Sequence, residues 1–151
     1  MRRLAVQEAD FDAGVELARL GGGQAGGVAS FIGIVRAGGD PDRRVAALTL
    51  EHYPGMTEAA IERIVAQAEA RWELTGCTVI HRVGRLLAGE TIVFVAAASA
   101  HRGDALQATA FLIDWLKTGA PFWKVEELES GAREWVEART ADDEAAASWT
   151  K

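Results

Sequence analysis

A single cysteine, Cys77, stands among the 151 residues. One cysteine excludes an intrachain disulfide and a cysteine-rich metal site. The histidines number three, His52, His81 and His101. They are too scattered for short metal-ligand spacing, so no metal and no cofactor is expected. No long hydrophobic run is present: the longest, around Ile92 to Ala100, is too short to span a bilayer. The start, Met1 to Glu8, carries charge but lacks the apolar stretch of a secretion signal. A cytoplasmic protein is expected. Positive charge is also short, with 16 Lys and Arg against 22 Asp and Glu. A net charge of -6 disfavours broad attraction to nucleic acid or anionic membrane. Any anion site must be a local concentration of cations against that average. No internal repeat and no linker is visible, and the length suits one domain over residues 1–151.

What is there reads as strands and helices in irregular order. Residues 3–7 predict a short strand. Residues 10–20 carry helical spacing at Phe11, Val15 and Ala18. Residues 28–36 are apolar and partly β-branched, which predicts a buried strand. Residues 37–44 hold turn formers, and residues 45–53 alternate as a strand does. Thr57 is expected to cap a helix running to Trp72, with Ile61, Ile64, Val65 and Ala68 on its buried stripe. Residues 78–83 and 91–98 predict strands joined by a turn with Gly84 and Gly89. Residues 104–118 predict a second strong helix, C-capped by Gly119, with Pro121 just beyond. Residues 122–128 and 134–138 predict a final hairpin. Residues 142–151 are either helical or frayed. Strands and helices do not alternate regularly, so a doubly wound parallel sheet is excluded in favour of an α+β fold with mostly antiparallel sheet and two main helices.

Two tempting sites fail on chemistry. The run Gly21-Gly22-Gly23-Gln24-Ala25-Gly26-Gly27 follows a helix, precedes a strand and contains no Lys, Ser or Thr. A phosphate-cradling loop needs the opposite order and a Gly-Lys-Ser/Thr ending, so this run reads as a connector. Cys77 opens the apolar stretch Cys77-Thr78-Val79-Ile80 with no cation beside it. It reads as a small buried hydrophobe rather than a thiolate.

Five basic residues stand where elements end. Arg36 closes one strand. His101 and Arg102 follow another and precede a helix, where free N–H groups and the helix dipole favour an anion. Lys117 lies in the last turn of that helix, and Lys124 follows the Gly/Pro turn after it. Each also has a plain reading as a solvated terminus or a dipole partner. Spacing alone leaves open whether they meet.

Five blocks in order carry a resemblance. They are Phe31-Ile32-Gly33-Ile34-Val35-Arg36, then Leu50-Glu51-His52-Tyr53-Pro54-Gly55-Met56, then His81-Arg82-Val83-Gly84 with Gly89-Glu90, then Ser99-Ala100-His101-Arg102, and Leu116-Lys117-Thr118-Gly119-Ala120-Pro121-Phe122-Trp123-Lys124. Together they resemble the catalytic large subunit family of molybdopterin synthase, over residues 28–139. The resemblance implies an α/β hammerhead-type domain that forms a homodimer within a heterotetramer. It implies a small ubiquitin-like partner whose C-terminal Gly-Gly carries a thiocarboxylate, and a cyclic pyranopterin monophosphate as substrate. The reaction implied is sulfur transfer that builds the dithiolene of molybdopterin. By position it makes Lys117 and Lys124 catalytic, and Ile34, Val35, Arg36, His101, Arg102, Lys117, Lys124, Val125 and Glu126 substrate-binding. Val125 stands where many members place a second basic residue, and Ile113 where some have Met.

The implied chemistry suits these side chains. A cyclic phosphate and a thiocarboxylate are both anions, and cations in a low-dielectric pocket let them approach. Arg36 and Arg102 suit forked phosphate contacts, and His101 donates or relays a proton. Lys117, as a neutral amine, would transfer protons, with Lys124 stabilising the developing anion. The extended tail is expected at a sheet edge or groove near residues 122–128, while Phe122 and Trp123 are expected in the core. Two other readings stay open: a non-catalytic anion-binding module built on the same cations, and a structural dimerisation domain packed on Trp72, Trp115 and Trp123, in which the five basic side chains point apart.

Overall fold

The computed structural model describes residues 1–136 and 140–150. Its strands are β1 (Arg2–Gln7), β2 (Gly27–Ile34), β3 (Val45–His52), β4 (Gly76–Arg82), β5 (Gly84–Leu87), β6 (Thr91–Ser99), β7 (Phe122–Leu128) and β8 (Arg133–Trp135). Its helices are α1 (Ala13–Leu20), α2 (Met56–Arg71), α3 (Arg102–Gly119) and α4 (Thr140–Ala147). One sheet has the order β1-β4-β6-β2 and the other β5-β3-β7-β8. Only β1 and β4 pair in parallel among these ladders. The fold is mixed α and β with antiparallel-rich sheets, as the irregular element order implies.

The first sheet is covered on both faces, which explains why β6 reads as an unbroken apolar run and β4 carries Cys77, Val79 and Ile80 without alternation. Cys77, Val79, Val93 and Val95 face α2 and α3, meeting Ile61, Val65, Phe111 and Leu112. Ile80, Phe94, Ala96 and Ala98 face the other way, onto Leu20 of α1. Burial on this scale stabilises by roughly 25 cal/mol per Å² of apolar surface. Cys77 is fully buried, and burial pushes its thiol up to about 12. A third cluster, Val35, Leu50, Val83 and Leu86, joins the two sheets.

Several expectations are corrected. Strand β2 is not buried: it is an edge strand, with Val28, Phe31, Ile32 and Ile34 all exposed. Gly33 within it is held by contact, since a Cβ there would meet Val93 Cγ1 at 2.6 Å. Helix α2 is capped by Gly55, at φ 86°, rather than by Thr57. Gly55 N donates to Glu58 Oε2 at 2.6 Å, and Thr57 Oγ1 inside the first turn donates to Tyr53 O at 3.2 Å. The β4–β6 connection contains β5, which leaves for the second sheet. Gly119 is the last residue of α3, and Ala120 caps it. The final hairpin pairs β7 with Arg133–Trp135; positions 137 and 138 lie outside the described residues.

The chain's end is helical over Thr140–Ala147 and packs on α3. Beyond that helix, the Trp149 indole N–H donates to Asp114 Oδ2 at 2.8 Å, and the ring lies edge-on to Trp72 and Phe111. No helix among the described residues is long and apolar enough to cross a membrane.

Candidate active site

A cavity of about 980 Å³ opens where β2, α3 and β7 end or begin. Each contributes by its own periodicity. Helix α3 presents Ile113, Leu116 and Lys117, positions three and four apart and therefore on one face. Strand β7 presents Phe122, Lys124 and Glu126, alternate positions on one face of the pleat. The β2–β6 register shifts between Gly33 and Ile34, and such a bulge re-aims the side chains that follow. Val35 N then donates to Glu90 O at 2.9 Å, and Ile34, Val35 and Arg36 all reach the cavity.

The structure thus brings together Ile34, Val35, Arg36, Lys117, Lys124 and Glu126 from the expected set. It does not bring the rest. Val125, between Lys124 and Glu126, faces the other side of β7 beside Arg133, Glu134 and Trp135. His101 caps the N-terminus of α3 and Arg102 begins that helix, both exposed. Lys117 lies fifteen residues further along α3, a rise of roughly 22 Å at 1.5 Å per residue. Within one chain, His101 and Arg102 stand at the far end of α3 from this cavity.

Two related expectations change. Strand β7 lies between β3 and β8, so it offers no free edge along Val125–Glu127 for an incoming tail. The cavity lies on the inner face of β7, lined by Phe122, Lys124 and Glu126. Phe122 is half-buried in the cavity wall, whereas Trp123 is 39% exposed and packs edge-on against Tyr53 at 4.3 Å.

The cavity also holds residues that spacing did not single out. Arg43, on the loop before β3, lines it and is ion-paired with Glu134. His81 of β4 lines it too, only 7% exposed and stacked on Phe122 at 3.9 Å between centroids. Burial is the main cause that lowers His81 to about 4, with Lys124, Lys117 and His52 adding to it. The imidazole is therefore neutral at physiological pH. Its one sequence signal was membership in the block His81-Arg82-Val83-Gly84, because burial on both faces of a doubly covered strand says nothing about a cavity at its end.

Among the described lining residues, Arg36, Arg43, Lys117 and Lys124 face the acidic Asp40, Glu126 and Asp142. That balance is only slightly cationic.

The family model described as MoaE protein matches residues 6–119. A molybdopterin synthase catalytic subunit from Ralstonia nicotianae is 53% identical over 151 residues, covering 99% of this chain and 85% of its own. One from Mesorhizobium japonicum is 51% identical, covering 95% and 91%. A solved molybdopterin biosynthesis MoaE protein from Burkholderia ambifaria superposes with a TM-score of 0.84 at 46% identity, covering 100% of this chain and 99% of that one. The chain belongs to the MoaE family, the catalytic subunits of molybdopterin synthase.

Proposed function

We propose that the cavity is a sulfurtransferase site. There a thiocarboxylated C-terminal Gly-Gly tail of a small ubiquitin-like partner meets cyclic pyranopterin monophosphate, and two sulfurs are delivered in turn to form the dithiolene. The observation that carries this reading is the convergence of Arg36, Lys117 and Lys124 on one cavity from three separate elements. Arg36 offers a fork to phosphate. Lys117 moves protons as each carbon–sulfur bond forms and the cyclic phosphate opens. Lys124 stabilises the developing anion. Water then cleaves the acyl–sulfur bond and releases the tail as a carboxylate.

His101 and Arg102 join the site from a second copy of the chain. Gly27, where β2 begins, lies against Arg102, since a Cβ there would stand 3.7 Å from Arg102 Cα. Ile34, where β2 ends, lies at the cavity. Antiparallel pairing of two β2 edges would set the start of one strand against the end of the other. Such pairing covers Phe31, Ile32 and Ile34. It also brings two more basic side chains to a cavity whose own lining is nearly balanced in charge. The resulting homodimer, with one small partner at each site, makes a heterotetramer.

The test is reconstitution of the purified chain with the pyranopterin precursor and a partner bearing either a thiocarboxylate or an ordinary carboxylate. Dithiolene product with the thiocarboxylate alone is expected. Binding of the pterin without product in either case would instead support a non-catalytic anion module.

A further inference from the structure

The block His81-Arg82-Val83-Gly84 with Gly89-Glu90 carries a cation and a carboxylate that sulfur transfer itself does not use. Arg82 is buried. Its guanidinium donates from Nε and Nη2 to Glu8 O, at 3.1 and 3.0 Å, and from Nη1 to Thr91 O at 2.9 Å. Nη1 also lies 3.7 Å from Glu90 Oε1 and 3.9 Å from Asp10 Oδ1. Glu90 ends the turn between β5 and β6 and closes that turn twice. Its backbone N–H donates to Leu87 O at 3.0 Å, and its Oε2 accepts from Leu87 N at 2.6 Å. Gly89, at φ 93°, supplies the left-handed residue such a turn needs. The closed turn holds Val35 by both backbone groups. Val35 N donates to Glu90 O at 2.9 Å, and Gly89 N donates to Val35 O at 2.8 Å. Val35 is buried with Leu50, Val83 and Leu86. The next residue is Arg36, at the cavity.

We propose that Glu90 is a positioning residue for Arg36: its carboxylate, beside the buried Arg82, closes the β5–β6 turn, and the turn fixes the backbone from which the Arg36 side chain enters the cavity. The catalytic consequence rests on the sulfur-transfer reading of the cavity, whereas the geometry does not. The need for an anchor is local. Ile34 precedes Val35 at a register shift, where the β2–β6 ladder is interrupted. Gly38 and Gly39 follow Arg36 closely and offer no side chains to pack. Arg36 is thus held where the chain leaves a sheet edge. Val35 is tied on one side of it, and on the other Ala37 O accepts from Val45 N at 2.8 Å. A backbone N–H donating to a carboxylate makes one of the stronger hydrogen bonds. Displacing a phosphate-binding fork by about 1 Å is costly to a site. The turn has a further tie to β3, from Ala88 N to Ala46 O at 3.0 Å. Loss of the carboxylate is therefore expected to loosen the turn rather than unfold the chain.

Two measurements test this. The first is amide hydrogen exchange of the full chain. In Glu90→Ala the protection of the Val35 amide should fall by at least about tenfold, while Phe94 and Val95 in the middle of β6 keep theirs. Unchanged protection at Val35 would overturn the proposal. So would a loss shared equally by Phe94 and Val95, since the effect would then be global. The second is a double-mutant cycle on the affinity for cyclic pyranopterin monophosphate. Glu90→Ala should weaken binding by about fivefold when Arg36 is present and by less than about 1.5-fold in Arg36→Ala, because a residue acting through Arg36 has nothing left to position. Glu90→Gln, whose amide oxygen can accept from Leu87 N, should recover most of the affinity. Equal weakening in both backgrounds would also overturn the proposal. Where Glu90→Ala does not fold, Glu90→Met keeps the stem, lacks the acceptor and takes its place with the same expectations. The two readings fail separately: absence of product from the unaltered chain counts against sulfur transfer, whereas a Val35 amide indifferent to Glu90 counts against positioning.

Discussion

Lys117 and Lys124 reach the same cavity by different geometric rules, one from a helix face and one from a strand pleat. His81 lines the same cavity, and its neutrality has a measurable consequence for the fold. Its ordinary value is 6.5 and burial lowers it to about 4. Unfolding releases that constraint, so the unfolded chain binds the proton first as pH falls. The stability contributed by keeping this ring neutral, roughly 3 kcal/mol, is fully present above pH 6.5 and lost as pH falls towards about 4. Urea unfolding of the unaltered chain and of His81→Phe should therefore converge or cross over that interval, the unaltered chain losing more. A stability difference that stays flat between those pH values would contradict the assignment. At this scale the sequence was informative about Cys77, because an apolar strand without cations leaves little else for a thiol to do. For His81 the one signal was its place in the block His81-Arg82-Val83-Gly84. Three dispersed histidines exclude short-range metal spacing, yet only the tertiary stack on Phe122 sets one of them apart.

Strand β7 gives the clearest example at the scale of elements. Its period of two sends Phe122, Lys124 and Glu126 inward and Val125 outward. A lysine at position 125 would thus add no charge to the cavity. Val125→Lys should leave kcat and KM within about twofold of the unaltered chain, since its side chain points away from the reacting groups. A several-fold change in KM would show that the strand face is wrongly assigned. The long apolar run of β6 was legible because both faces of its sheet are covered. Strand β2 has a similar composition and a different fate, exposed at a sheet edge. Composition cannot separate a strand buried within its own chain from one whose apolar side chains await another surface. Strand β5 has only four residues, too few for a period to emerge, and it passed as part of a turn. Gly55 displaced Thr57 as a cap because the Pro54-Gly55 turn already supplies the sharp entry into α2.

For the whole molecule, the separation of Arg102 from Lys117 along α3 decides how the expected site is assembled. The ordered blocks gathered residues of one function and carried no information on which copy of the chain supplies each. If two copies share each site, inactive variants should complement. Arg102→Ala and Lys117→Ala chains, each strongly impaired alone, should regain about a quarter of full turnover when subunits are mixed and exchanged at random, because half the dimers then hold one intact site. Sites built within a single chain would show no such recovery.

In the proposed reaction the cavity joining Arg36, Lys117 and Lys124 performs sulfur transfer, with Lys117 moving the protons. The most direct measurement is single-turnover dithiolene formation by Lys117→Ala with the thiocarboxylated partner and the pyranopterin precursor, alongside the affinity of that variant for the partner. Loss of product by a factor of at least about a hundred, with partner affinity essentially kept, is the expected result. Near-normal product from Lys117→Ala would rule out proton transfer by this lysine.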